Sequence, residues 1–272
     1  QQRELANSWF DHLGERSGDG APSVGGWAAD RFLRELRADA ALGELAETPL
    51  LFIGLLALAV RDVALPRNRT QALESLTRLL LEIHPEARAT AAGDTRPRFD
   101  AAGTWELRLS ALAALAFTSR REGGDAGYPR AAAEEVIRDH LMAVNGYDAT
   151  RATTAAAELL AVNAETVGLI VEKAPGDLGF AHASLEEYLS AVHIQTWRFA
   201  ELTAFVAAEA GNPRWRNVLR NLVAINPRAS EIDDIVAAVE AAPVDVLGAF
   251  NRQLLLTDIT FGPSAMSPAT AH

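Results

Sequence analysis

The chain has no cysteine, one lysine, two methionines and three tyrosines. Without cysteine it forms no disulfide, offers no thiolate nucleophile and binds no cysteine-ligated zinc, a usage compatible with a reducing, cytoplasmic setting. The one lysine, Lys173, stands in "LIVEKAPGD". A P-loop needs a lysine behind Gly-x-x-x-x-Gly to reach the terminal phosphates, and no such turn precedes Lys173. Schiff-base chemistry would have only this residue, in a stretch that reads as a strand entering a turn. His-Glu-x-x-His, Gly-x-Ser-x-Gly and Asp-x-Asp-x-Asp-Gly are all missing, and the six histidines (His12, His84, His140, His182, His193, His272) are scattered. The sequence therefore assigns no catalytic residue and no metal site.

Long apolar runs are missing too. The longest, "PLLFIGLLALAV" from Pro49 to Val60, has 12 residues, against the ~20 that span a bilayer. Flanked by Glu47 and Arg61, it reads as a buried helix, and no membrane span is expected. The start, "QQRELANSWFDHL", has neither an initiator methionine nor the basic-then-apolar layout of a signal peptide, and it reads as a cut inside a longer protein.

What is present is helix-forming. Ala, Leu, Glu, Arg and Val dominate a chain of 272 residues that is 49% hydrophobic, enough for roughly two compact units and mainly α in class. A formal charge of −11 gives no general attraction for nucleic acid or acidic membranes.

Apolar stripes at Leu5, Trp9, Phe10 and Leu13, and at Trp27, Phe32, Leu33, Leu36, Leu42 and Leu45, predict the first helices. "GERSGDGAPSVGG" breaks between them, and Thr48-Pro49 reads as a helix start, Thr capping and Pro in the first turn. Leu73, Leu76, Leu80 and Ile83 line a further helix after Leu65-Pro66. Residues 1–88 thus read as a small helical domain, bounded by the polar stretch "ARATAAGDTRPRFD".

Three helices follow: one through Trp105 to Phe117, one after the Tyr-Pro entry at 128–129, and one over about 150–163. "GLIVEKAPGDLGF" then alternates about a Pro-Gly-Asp turn, Leu169 and Val171 against Leu178 and Phe180, as a β-hairpin does. Three helices and a hairpin in that order predict a winged-helix domain over 98–200. Stripes at 205–210, 215–225, 232–239 and 244–256 predict a linker or the start of a C-terminal helical array over 201–260, ahead of a disordered tail at 261–272.

The hairpin exit, "GFAHASLEEYLSA", carries the one site the pattern offers. Ser184 with Glu187 spells a capping box, so a helix is expected to start at Ser184, and His182 precedes it. Unpaired amides and the positive end of the helix dipole make such a place fit for an anion, to which an imidazole adds a donor. The plainer reading has His182 packed behind the hairpin on a carbonyl. Acidic neighbours such as Glu186-Glu187 and Asp233-Asp234 read as solvated faces.

At this point the sequence resembles the NACHT family of STAND nucleotide-binding switches, which includes NOD-like receptors. Their winged-helix domain ends in Gly-Leu-Leu/Ile, then Gly-Phe-x-His-x-Ser/Thr-Phe-Gln/Glu-Glu-Tyr/Phe-Leu-Ala. Here these are Gly168-Leu169-Ile170 and Gly179-Phe180-Ala181-His182-Ala183-Ser184-Leu185-Glu186-Glu187-Tyr188-Leu189-Ser190-Ala191. "LAETPLLFIGLLAL", "LPRNRTQALESLTRLLL" and "GNPRWRNVL" are similar to family segments in the same order, so that the resemblance covers about 45–220.

The resemblance implies that Pro49 packs on adenine and that His182 contacts the β-phosphate of ADP; a plain helix start is the alternative for Pro49. It implies ADP/ATP as ligand, with Mg²⁺ only through an upstream P-loop NTPase core, self-association on activation, and a setting such as bacterial antiviral defence. Leu185 departs from the usual aromatic, Ala72 and Ser75 from bulkier residues, and both Walker motifs are missing, so this chain alone holds no triphosphate in the family's way. Two other classes stay open: a winged-helix DNA-binding transcriptional regulator, reading bases with "RAAAEEVIRDHLMAV", and a passive helical protein-interaction scaffold.

Overall fold

A computed structural model describes residues 2–17, 29–61, 65–83, 103–122 and 127–261, without the side chains of 12–17, 61, 82–83, 165–166 and 261. Trp27, His84, the polar stretch after residue 86 and the tail beyond residue 261 lie outside what is described, as does the side chain of His12. The chain divides into two compact units, Gln1–Leu79 and Leu80–His272.

The first unit is helical throughout: α1 (Gln2–Ser17), α2 (Ala29–Ala38), α3 (Ala40–Ala46), α4 (Pro49–Arg61) and α5 (Arg69–Arg78). Asp39 caps α3, its carboxylate accepting from the Ala41 and Leu42 amides at 2.9 and 3.1 Å. Asn68 caps α5 through the Gln71 amide at 2.9 Å, and the Gln71 side chain returns to accept from the Arg67 amide at 3.0 Å. These reciprocal bonds satisfy donors that the first helical turn leaves open. Phe32, Leu36, Leu51, Phe52, Leu55, Leu56, Leu73 and Leu76 form the core, with the Phe32 and Phe52 rings edge-on at 5.7 Å. The 49–60 run is therefore a core helix. Among the described residues no single helix is long and apolar enough to cross a membrane.

The second unit opens with the expected winged-helix order: α6 (Trp105–Glu122), α7 (Arg130–Asn145), α8 (Ala149–Val162), then β2 (Ile170–Ala174), β3 (Asp177–Phe180) and α9 (Ala183–Gln195). Tyr128 and Pro129 are more than a helix entry. They form β1, which pairs with β3 and completes an antiparallel sheet in the order β1-β3-β2. The register places Ile170 opposite Phe180, so Ile170, rather than Val171, shares the buried side with Leu178 and Phe180, and Leu169 is buried just ahead of the strand. The turn is Pro175-Gly176, and Gly176 takes φ +84°, a conformation that costs glycine least.

Helices α10 (Phe199–Glu209), α11 (Arg216–Ile225), α12 (Ala229–Ala241) and α13 (Val246–Phe261) follow. They stack by alternation, α11 on α9, α12 on α10 and α13 on α11. An aromatic cluster joins this array to the winged helix: Trp215 lies 5.5 Å from Phe117 and 5.0 Å from Phe205, and Trp197 lies 5.1 Å from Phe117. Gly211 lets the layers close. A Cβ there would stand 2.7 Å from Val244 Cγ1 and 2.9 Å from the Gly248 Cα.

Because one of those neighbours is backbone, Gly211→Ala has to push α13 outward. Overpacking of this kind costs ~1–3 kcal/mol, and thermal unfolding of the variant should show a midpoint several degrees below that of the parent chain.

Candidate functional site

The site is built where β3 hands the chain to α9. Gly168, at φ +73°, ends the turn before β2 by donating its amide to the Asn163 carbonyl at 2.9 Å, and Leu169 O accepts from the Ala181 amide at 2.9 Å. The strand exit is thereby fixed. His182 follows with extended backbone angles, φ −142° and ψ 131°, and it is the N-cap of α9.

The capping box is therefore not the one the sequence spells. The helix begins at Ala183, one residue earlier than expected, and His182 Nδ1 accepts from the Ser184 amide at 3.1 Å. The His182 carbonyl accepts from the Leu185 and Glu186 amides at 3.1 and 3.3 Å. An imidazole has one acceptor nitrogen when neutral, so accepting at Nδ1 puts the ring's proton on Nε2. Most first-turn amides are thus spent within the cap. What this junction offers an anion is the helix dipole with an imidazole beside it, rather than a nest of open amides.

Nor are Glu186 and Glu187 a solvated face. Nearly the whole circumference of α9 is buried, and acids on such a helix must be paired. Glu187 accepts from Asn217 Nδ2 at 3.0 Å and lies 3.2 Å from the Arg120 guanidinium. Glu186 lies 3.8 Å from the same guanidinium. Burial pushes the Glu186 carboxyl above the usual carboxylate range, against the opposing pull of Arg120. Arg120 in turn donates to the Arg214 carbonyl at 2.9 Å. Beside this cluster lies a cavity of about 600 Å³ lined by residues of both signs, among them Lys173, Glu186 and Arg214. Asp233 and Asp234 do stay exposed, as expected.

Arg120 and Asn217 are the residues that sequence reading missed. The available signal was an acidic pair on a helix with apolar residues all round, which calls for a cation from another element.

Two further histidines pack behind the far end of α9. His140 Nε2 and Ser110 Oγ are 2.7 Å apart, and the His140 and His193 rings lie 6.1 Å apart. Burial first, then the neighbouring His140 and Arg121, lowers the His193 pKa to about 4. Among the described residues no group of three His, Asp or Glu could hold a metal.

Pro49 is the first residue of α4 and is exposed, with the Thr48 carbonyl accepting from the Phe52 amide at 2.9 Å. It belongs to the first unit and His182 to the second. On α7, the helix that a DNA-reading role would need, Arg138 is engaged by Glu135 and Asp139 at 3.1 and 2.7 Å.

Residues 69–194 match the family model of a winged helix-turn-helix domain C-terminal to NACHT. No curated protein and no solved structure matches the chain.

Two outcomes follow from this geometry. Arg120→Met strands the buried Glu187 carboxylate and should cost ~3–5 kcal/mol, whereas Glu187→Gln retains an acceptor for Asn217 and should cost less; denaturant unfolding ranks the two. His193 has a folded pKa of about 4 against an ordinary ~6.5, so folding favours its neutral form. Its contribution is complete above pH ~6.5 and is lost as pH falls towards 4. The melting midpoint should drop over that window, and His193→Phe should flatten the drop.

Proposed function

We propose that this chain, which carries a winged-helix domain of the NACHT-associated family, is the regulatory part of a nucleotide-dependent signalling switch. The observation that carries the reading is the state of His182. Its ring is held at the N-terminus of a 13-residue helix with Nδ1 engaged by the Ser184 amide, which sets an imidazole at the positive end of the dipole, a place fit for an anion. The β-phosphate of ADP is that anion, and Pro49 packs on the adenine, as the resemblance to NACHT switches implies.

The rest of the nucleotide site belongs to an upstream P-loop core, which also supplies Mg²⁺ when triphosphate is bound. With ADP in place the winged helix holds the protein closed. Exchange for ATP removes that preference and releases surfaces for self-association in a cytoplasmic setting, bacterial antiviral defence among them. Such a switch works only as far as the two nucleotides bind the two states with different affinities. A DNA-reading role gains nothing from α7, where acids engage Arg138.

The test separates the cap from the contact. His182→Asn keeps a short side-chain acceptor that caps a helix well but has no group at the Nε2 position; His182→Ala loses both. In protein that includes the upstream core, both variants should weaken labelled ADP by roughly 10-fold or more, the scale of one hydrogen bond to a charged group. Only His182→Ala should also lower the melting midpoint. Unchanged ADP affinity and unchanged nucleotide-dependent oligomerisation in both would sink the reading.

A further inference from the structure

The cavity beside the Arg120 cluster holds two opposite charges that do not meet. One is Lys173. Its stem lies flat across β3, since a Cβ on Gly179 would stand 2.8 Å from Lys173 Cγ and 2.9 Å from its Cε. Bare backbone at Gly179 leaves room for that course and so carries the ammonium to the cavity wall. Among the described residues no carboxylate lies within ion-pair distance of it. The other charge is Glu186 on α9. Its side chain is 21% exposed and within reach of a dissolved molecule. The Arg120 guanidinium stands 3.8 Å from it, beyond hydrogen-bonding range, because the nearer contact at 3.2 Å goes to Glu187. Burial is thus only partly compensated at Glu186, as the upward displacement of its pKa records.

From this we infer that the cavity is a binding site for a small zwitterion of the amino-acid kind, its carboxylate on the Lys173 ammonium and its ammonium on the Glu186 carboxylate. Two opposite charges that share one cavity without pairing are joined by a molecule that carries both signs, and each end then makes a charge-assisted hydrogen bond. A simple anion would satisfy Lys173 but meet Glu186 with the wrong sign, and a simple cation reverses the fault. A volume of about 600 Å³ lies within the ~300–1,000 Å³ of small-molecule sites. It leaves space for a ligand side chain against Phe180 and Ala183, which line the cavity where hairpin meets helix. His182 is not among the lining residues, so the site does not rest on the nucleotide reading.

Melting of the full chain with each soluble L-amino acid in turn, at about 10 mM, identifies the side chain that the cavity takes, because a ligand of the folded state raises the midpoint by mass action. The expected result is a raised midpoint with at least one of them. Titration of that amino acid should show an affinity that falls roughly 10-fold or more when its amine is acetylated or its carboxylate amidated, the scale of one hydrogen bond to a charged group. Lys173→Met and Glu186→Gln should each weaken it by a like factor. Lys173 is exposed, so Lys173→Met should melt like the parent when no ligand is present, which keeps the test open if Glu186→Gln disturbs the Arg120 cluster. A midpoint that no amino acid raises, a binder indifferent to Lys173→Met, or binding undiminished by either blocking group would each overturn the assignment.

Discussion

One buried guanidinium sets how the elements of the second unit meet. Arg120 reaches from the end of α6 to Glu186 and Glu187 on α9 and to the Arg214 carbonyl in the turn before α11. Three pieces of chain distant in sequence meet on it. The desolvation cost of an arginine in such a place is large, and it is offset only because its carboxylate partner is also tied to Asn217. The Arg120 Nε still lacks a partner, so the arrangement contributes specificity of geometry more than net stability. It fixes how α9 sits against the array, and α9 is the helix that His182 caps.

The other end of α9 is held by different physics. Phe117, Trp197, Phe205 and Trp215 surround its last turns through edge-on and tilted ring contacts of 5.0–5.8 Å, and His193 sits among them 5.1 Å from Phe117. A charged imidazole has no place in that environment, which is why burial lowers its pKa. The helix is therefore clamped by an ion cluster near its start and by aromatic packing near its end. The first clamp is weakened by removal of a partner, the second by acid, which charges His193.

The sequence made the fold class readable because its signals were periodic and local. Helical stripes, the Pro-Gly turn and the order of three helices before a hairpin all act within a few residues of one another, and the matching elements formed. What escaped it were long-range pairings. That Tyr128-Pro129 is a strand depends on the edge β3 presents 49 residues later, which no local window contains. Ile170 rather than Val171 faces inward because register is set by the partner strand. Glu187 looked solvated because Arg120 and Asn217 come from other elements. His182 was singled out correctly as a residue at a helix mouth, but the cap was assigned to Ser184, since Ser-x-x-Glu is the commoner chemistry.

That last substitution of roles changes what the histidine can do. A serine cap would leave the imidazole a bystander, able to rotate and to carry its proton on either nitrogen. As the cap itself, the ring is oriented by the Ser184 amide, and its tautomer follows from the hydrogen bond rather than from chance. Protonating Nδ1 would give up the cap. The geometry then ties the ring's orientation and the helix start to one side chain. Loss of that acceptor would loosen the first turn of α9. That turn also carries Glu186 and Glu187, so the disturbance would reach Arg120, and through Asn217 and Arg214 it would reach the array.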